Sequence, residues 1–143
     1  MTETRLRRAI AVLALVGVGI AGYLTYTRAA GEAPVCTTGG CEKVQSSDYA
    51  EVVGIPVAVL GLLAYVAIFA TAFRAGPAAA AICAGLCLAG AAFAGYLLVV
   101  QLAIIDAICV WCVGSDVVIG LLAVLSVARL ARANAAAAPP AAA

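Results

Sequence analysis

The sequence predicts an all-α membrane protein, a four-transmembrane-helix bundle, and three observations carry that expectation. Of 143 residues, 66% are hydrophobic and only 10% are charged, against roughly 25% charged in an average soluble domain. Apolar stretches at 9–27, 52–73, 78–105 and 107–128 each reach the ~20 residues a helix needs to cross a hydrocarbon core. The charges gather between these stretches, which leaves one long loop at 28–51 and a tail at 131–143. Residues 1–130 therefore read as a single membrane domain, with no room for a separate soluble catalytic domain.

The first span follows Arg5, Arg7 and Arg8, while Arg74 lies between the second and third spans and Arg129 and Arg132 follow the fourth. The other side holds Arg28 and Lys43 with Glu32, Glu42, Asp48, Glu51 and Asp106. Positive residues mark the cytoplasmic side, so both termini are expected there and the 28–51 loop faces outward. Residues 5–26 also fit a signal peptide, with a basic start, an apolar core and the small residues Ala29 and Ala30. Cleavage would leave three spans with the N-terminus outside.

Pro56 suits the first turn of the second span, where its missing amide proton costs nothing. Before it, Asp48 and Glu51 have the spacing of a capping box for a Tyr49–Val53 turn. Gly17, Gly19 and Gly22 in the first span, Gly85, Ala89 and Gly90 in the third, and Gly114 and Ser115 in the fourth allow close helix packing. The tail is nearly all alanine with Pro139 and Pro140, and reads as a disordered low-complexity extension.

Chemistry must come from the cysteines. The chain has no histidine, which excludes Ser-His-Asp and Cys-His catalysis and His-ligated zinc or haem within this polypeptide. A net charge of +1 argues against nucleic acid as a partner. Of six cysteines, Cys36 and Cys41 flank Thr37-Thr38-Gly39-Gly40 in the outward loop, where glycine lets a segment swing and disulfides can form. Cys109 and Cys112 form Cys-Val-Trp-Cys at the outer start of the fourth span. A C-x-x-C at a helix start sets both sulfurs on one face, where the amino-terminal dipole and free amides favour the thiolate. The bland alternative is two apolar cysteines in a bundle, but a second pair on the same side favours redox work.

Cys83 and Cys87 differ. Cys87 lies eighteen residues from the outer end of the third span, about 27 Å at 1.5 Å per residue. An i, i+4 pair does not easily close into a disulfide, so these read as packing residues, with a buried soft-metal site as the lesser reading.

Two dithiols on one face suggest an electron relay, in which one pair trades electrons with a soluble protein and the other passes them to a lipid-soluble acceptor. A quinone is the simplest two-electron partner, since no haem or flavin motif is present. Asp116, one turn beyond Cys112, is an ionisable group inside a span and so a candidate for the reaction. Bonding to Ser115 or a neighbouring helix is its alternative role. A soft-metal transporter could use the same thiolates, although Cys83 and Cys87 lie far from the outer four.

Cys36 and Cys41, then Glu42-Lys43-Val44-Gln45-Ser46-Ser47-Asp48-Tyr49-Ala50, Gly54-Ile55-Pro56-Val57-Ala58, Gly61 and Tyr65, and the later Cys-Val-Trp-Cys resemble the vitamin K epoxide reductase family over most of the chain. The resemblance implies a four-helix bundle around a quinone, capped by the outward loop and its short interfacial helix. It implies Cys112 against the quinone ring, Cys109 as its resolving partner, Cys41 attacking Cys109, and Cys36 meeting a thioredoxin-like protein. Ser47, Trp111 and Asp116 are the candidate quinone-site or cap residues, and no metal is expected. Many bacterial relatives carry a fused thioredoxin-like domain; here a separate thioredoxin-like thiol oxidase outside the cytoplasm is expected. Vertebrate members have tyrosine at the position of Asp116, so an acceptor from the membrane quinone pool, of ubiquinone, menaquinone or vitamin K type, is favoured over vitamin K epoxide. The expected location is a bacterial plasma (inner) membrane. A DsbB-like disulfide oxidase would run the same overall reaction, but would carry its C-x-x-C in the first outer loop.

Overall fold

A computed structural model describes residues 1–140. Its elements in chain order are α1 (Glu3–Ala29), α2 (Cys41–Gln45), a 3-10 turn (Asp48–Ala50), β1 (Glu51–Val52), β2 (Ile55–Pro56), α3 (Val57–Ala72), α4 (Pro77–Val100), a π-helical turn (Gln101–Ile105) and α5 (Val110–Ala137). Three of the helices are long and apolar enough to cross a membrane, and α3 is a shorter apolar helix of 16 residues. Around the bundle α1 packs on α3, α3 on α4, α4 on α5 and α5 back on α1.

Each helix boundary has a local cause. Thr2 caps α1 by accepting the Arg5 amide at 3.3 Å, satisfying one of the free amides of the first turn. Pro77 stands in the first turn of α4 after Gly76, whose φ of 102° suits glycine. At the far end of α4 the π-helical turn closes on Asp106 in the left-handed conformation, with the Ala107 amide donating to the Gln101 carbonyl at 3.2 Å.

Several boundaries differ from the sequence expectation, α1 beginning at Glu3 rather than 9 and α5 at Val110 rather than 107. The second span begins at Val57 rather than 52, because residues 51–56 form a two-stranded antiparallel hairpin pairing Glu51 with Pro56 and Val52 with Ile55. Val53 and Gly54 at its tip have φ of 53° and 79°, the two positive values of a type I′ turn. Pro56, expected in the first helical turn, is instead the N-cap of α3 with an extended ψ of 133°, and proline biases the residue before it to extended backbone, so Ile55 and Pro56 end the strand. The Asp48–Glu51 capping box does not form: Asp48 lies inside the 3-10 turn rather than at its cap, and Glu51 opens β1 and pairs with Arg28. At the other end, α5 runs to Ala137, beyond 131 where the sequence suggests the tail begins. Alanine has the highest helix propensity, so an alanine run extends a helix already nucleated by packing. Residues 141–143 of that expected tail lie outside the described residues.

The core joins Ile10, Ala14 and Ala21 of α1, Tyr65 and Ile68 of α3, Cys83 and Cys87 of α4, and Ile119 and Leu122 of α5. Close approach depends on glycine at two points. A Cβ on Gly17 would overlap the Tyr65 ring, and one on Gly90 would come within 3.1 Å of the Ile119 side chain. Gly19, Gly22 and Gly85 face open space and serve no such contact.

The arginine-rich end of the bundle is stapled by Arg129, which is fully buried. Its guanidinium donates to Glu3 Oε1 at 3.0 Å, to the Thr71 carbonyl at 3.2 Å and to the Arg74 carbonyl at 2.5 Å. It thus ties α5 to α1 and to the turn after α3, sharing the Thr71 carbonyl with the Arg74 amide. Arg129→Met keeps the stem and removes the donors, leaving Glu3 and the Arg74 carbonyl without them. A loss of about 2 kcal/mol is expected, read as a lower apparent melting temperature in detergent.

Candidate active site

The loop end of the bundle gathers four cysteines. Cys36 and Cys41 are joined in a disulfide, with Cα atoms 5.9 Å apart. Cys36 is partly exposed and Cys41 fully buried. Cys41 opens α2 and packs with Val44 and Cys109 in one small apolar cluster, with Cys112, Trp111 and Ile105 at its edge. The loop sulfur that points inward is thus in the same cluster as the C-x-x-C.

The loop is held down rather than free to swing. Thr38 Oγ1 donates to the Ile108 carbonyl at 2.8 Å, and Trp111 Nε1 donates to the Val35 carbonyl at 2.6 Å. The Trp111 ring lies 4.8 Å from that of Tyr23, whose hydroxyl accepts the Val35 amide at 3.0 Å. Gly40, expected to provide flexibility, provides proximity: a Cβ there would fall 2.5 Å from the Ile108 carbonyl oxygen. Arg28 donates to the Gln45 carbonyl at 2.6 Å and pairs with Glu51, fixing α2 and the hairpin to the end of α1.

Cys109 is the N-cap of α5 and not part of its first turn; its extended backbone returns the sulfur over the helix end, where it accepts the Cys112 amide at 3.3 Å. That is the position serine or aspartate takes in an ordinary cap. The Cys109 amide donates to Gln101 Oε1 at 2.9 Å, so the π-helical turn of α4 holds the cap residue from behind. Cys112 Sγ and Cys109 Sγ lie 2.6 Å apart. The two sulfurs are within reach of a bond with little backbone movement.

Beneath α2 lies a cavity of about 400 Å³ between the four helices, mostly apolar in its lining. Its polar groups are few: Gln45, Ser47 and Tyr49 from the cap, Tyr65 from α3, Gln101 from the π-helical turn, and Cys112, Ser115 and Asp116 from α5. Tyr65 Oη lies 2.9 Å from the Ser115 carbonyl, to which it donates, and 2.8 Å from Ser115 Oγ. Asp116 Oδ2 is the single buried side-chain oxygen or nitrogen without a hydrogen-bond partner among the described residues.

The sequence candidates fall into place unevenly. Cys112, Ser47 and Asp116 line the cavity, and Cys112 is the one cysteine that does so among the described residues. Ser47 also donates to the Val44 carbonyl at 2.7 Å, closing the end of α2. Trp111 is not in the lining; its contacts are with the loop and Tyr23. Cys83 and Cys87 are fully buried in the bundle core, and no group of three or more metal-ligating side chains occurs among the described residues.

Two residues escaped sequence reasoning. Gln45 Nε2 lies 3.4 Å from Cys112 Sγ and 4.0 Å from Cys109 Sγ, and Gln101 holds the Cys109 amide. Gln45 could have been found from its i, i+4 spacing to Cys41, which puts the two on one face of α2. Gln101 carried no comparable signal beyond being a polar residue in an apolar run.

The buried sulfur cluster, the bundle of apolar helices and the cap over an apolar cavity describe a multi-pass membrane protein equipped for thiol–disulfide exchange. A model of the vitamin K epoxide reductase family matches residues 8–127, a stretch that includes both loop cysteines, the C-x-x-C and the body of all four apolar helices. The chain therefore belongs to the vitamin K epoxide reductase family, membrane-embedded thiol–disulfide oxidoreductases that reduce quinones.

Proposed function

We propose that this chain oxidises the dithiol of a thioredoxin-like protein and passes the electron pair to a membrane quinone, supporting disulfide formation outside the cytoplasm. The observation that carries the reading is the position of Cys112, which is both partner to Cys109 and part of the cavity wall. Orientation follows from charge: the end bearing Arg5, Arg7, Arg8, Arg74 and Arg129 is assigned to the cytoplasm and the loop end to the outside of a bacterial plasma membrane.

The donor set suits a quinone. The cavity volume is in the ~300–1,000 Å³ range of small-molecule sites, and its wall is apolar apart from a few polar groups. Asp116 Oδ2 is an oxygen left without a partner by the protein itself. Cys112, Gln45, Ser47, Ser115 and Asp116 would hold the ring. A bound quinone supplies an acceptor for two electrons and two protons.

The residues then act in turn. Cys36, the more exposed sulfur, takes the attack of the partner's thiolate, and the Cys36–Cys41 bond breaks with the electron pair leaving on Cys41. Once the partner has closed its own disulfide, Cys36 is released as a thiol. With the C-x-x-C in its oxidised form, Cys41 attacks Cys109, the Cys109–Cys112 bond breaks, Cys41–Cys109 forms and Cys112 leaves as the thiolate. Cys36 attacks Cys41, restoring the loop disulfide and freeing Cys109. As their disulfide re-forms, Cys109 and Cys112 would pass two electrons and the remaining thiol proton to a quinone held beside Cys112, with the second proton supplied by Asp116. The lid made by α2 and the hairpin excludes water, which strengthens the effect of nearby donors on developing charge.

Lipid extraction and mass spectrometry of the purified protein test the acceptor: a co-purifying quinone is expected, together with cysteine-dependent quinone reduction. Stoichiometric soft metal with no quinone would instead support a transporter. The transfer step has its own test. In Cys36→Ala/Cys112→Ala, Cys41 and Cys109 have each lost an alternative partner and should form a stable disulfide on mild oxidation. Peptide mapping without reductant would detect it; free thiols at both positions would rule out direct transfer.

A further inference from the structure

We infer that the Gln45 side-chain amide decides which sulfur of the C-x-x-C carries the negative charge, making Cys112 the leaving thiolate when Cys41 attacks Cys109. The inference deepens the relay proposed above and rests on it.

The protein's other donor favours the wrong sulfur. Cys109 Sγ accepts the Cys112 amide at 3.3 Å, a donor that Cys112 Sγ, 2.6 Å away, does not share. Left to this contact, charge would settle on Cys109, which is fully buried and does not border the cavity. Gln45 Nε2 is 0.6 Å nearer to Cys112 Sγ than to Cys109 Sγ, at 3.4 Å against 4.0 Å. Among the hydrogen bonds of the described residues it is the donor to Cys112 Sγ. A primary amide has two N–H groups and gives up none of its charge on donating, so it stabilises an anion without competing for the proton.

The helix that carries the amide is also well anchored. Gln45 sits on α2 four residues after Cys41, so the attacking sulfur and the amide that receives the outgoing charge ride on one helical face. The backbone carbonyl of Gln45, not its side-chain oxygen, accepts from Arg28 at 2.6 Å, and Arg28 is in turn paired with Glu51, which fixes the end of α2. Seating the cap places nucleophile and charge acceptor together. In the step concerned, the Cys41–Cys109 bond forms, the Cys109–Cys112 bond breaks, and its electron pair goes to Cys112 Sγ beneath Gln45; no other oxidant or reductant enters.

An exchange equilibrium within one chain measures this directly. In Cys36→Ala, the sulfurs of Cys41, Cys109 and Cys112 can hold one disulfide and one thiol, either as Cys41–Cys109 with free Cys112 or as Cys109–Cys112 with free Cys41. The ratio of the two, quenched by acid at mildly alkaline pH and read by peptide mapping, reports the stability of the Cys112 thiolate. Gln45→Met has almost the same length and shape but no N–H donor. Adding it should shift the ratio toward Cys109–Cys112 by about tenfold or more, the worth of a hydrogen bond to a charged group. Gln45→Lys, which restores a donor, should return the ratio toward that of Cys36→Ala, which lost packing alone would not do. Should Gln45→Met fail to fold, Gln45→Glu takes its place, keeping the shape while opposing the anion. An equal ratio with and without the amide would overturn the assignment of Gln45 alone. Absence of Cys41–Cys109 here and in Cys36→Ala/Cys112→Ala would overturn the relay itself, and the assignment with it.

Discussion

Cys112→Ala should abolish quinone reduction, a fall of ~10³-fold or more, because a covalent relay has no substitute for the sulfur at its final step. Cys112 is the cysteine of the described residues that lines the cavity, and Cys109 beside it is fully buried behind the N-terminus of α5. Cys36→Ala should behave differently. Its sulfur is on the accessible side of the loop disulfide while Cys41 lies inside, so it should lose turnover with a protein partner yet keep reduction by a small membrane-permeable dithiol. Both activities can be measured in the same purified variants. Equal loss of small-dithiol turnover in Cys36→Ala would show that the two pairs do not divide the work in this way.

Asp116→Asn should lower steady-state quinone reduction by about 10²-fold, the usual worth of a positioned proton donor, while bound quinone is retained. The carboxyl group lies one turn below Cys112 in the cavity wall, and its Oδ2 has no partner within the protein. A carboxyl there can deliver a proton as electrons arrive from the sulfurs. Asparagine has nearly the same size and still donates a hydrogen bond, but it cannot supply a proton. The decisive measurement is turnover across pH in wild type and Asp116→Asn, with bound quinone quantified in each. Unchanged turnover and an unchanged pH profile would leave the cysteines alone as the chemical core. Loss of the bound quinone together with turnover would make Asp116 a binding group.

The sequence by itself determined the membrane character, four apolar spans around residues 9–27, 52–73, 78–105 and 107–128, and the division of six cysteines into a loop pair, a C-x-x-C and a deep pair. These properties are local: hydrophobic run length, the position of basic residues and the spacing of cysteines are written along the chain and need no partner to be read. Tertiary structure decided which donor faces which acceptor. Arg129 is a topological marker in the sequence, but in the bundle it is a buried clamp on Glu3 and the carbonyls of Thr71 and Arg74, far apart in the chain. Gln45 and Gln101 look like ordinary polar residues until α2 and the π-helical turn bring them to the sulfurs of α5 and the amide of Cys109. Gly40 is a hinge by composition and a close contact by position, because the Ile108 backbone passes beside it. A hydrogen bond or a steric contact depends on distances of a few tenths of an ångström between residues that, Gln101 and Cys109 apart, lie 55 to 126 positions away from one another, and that proximity exists only once the helices have packed.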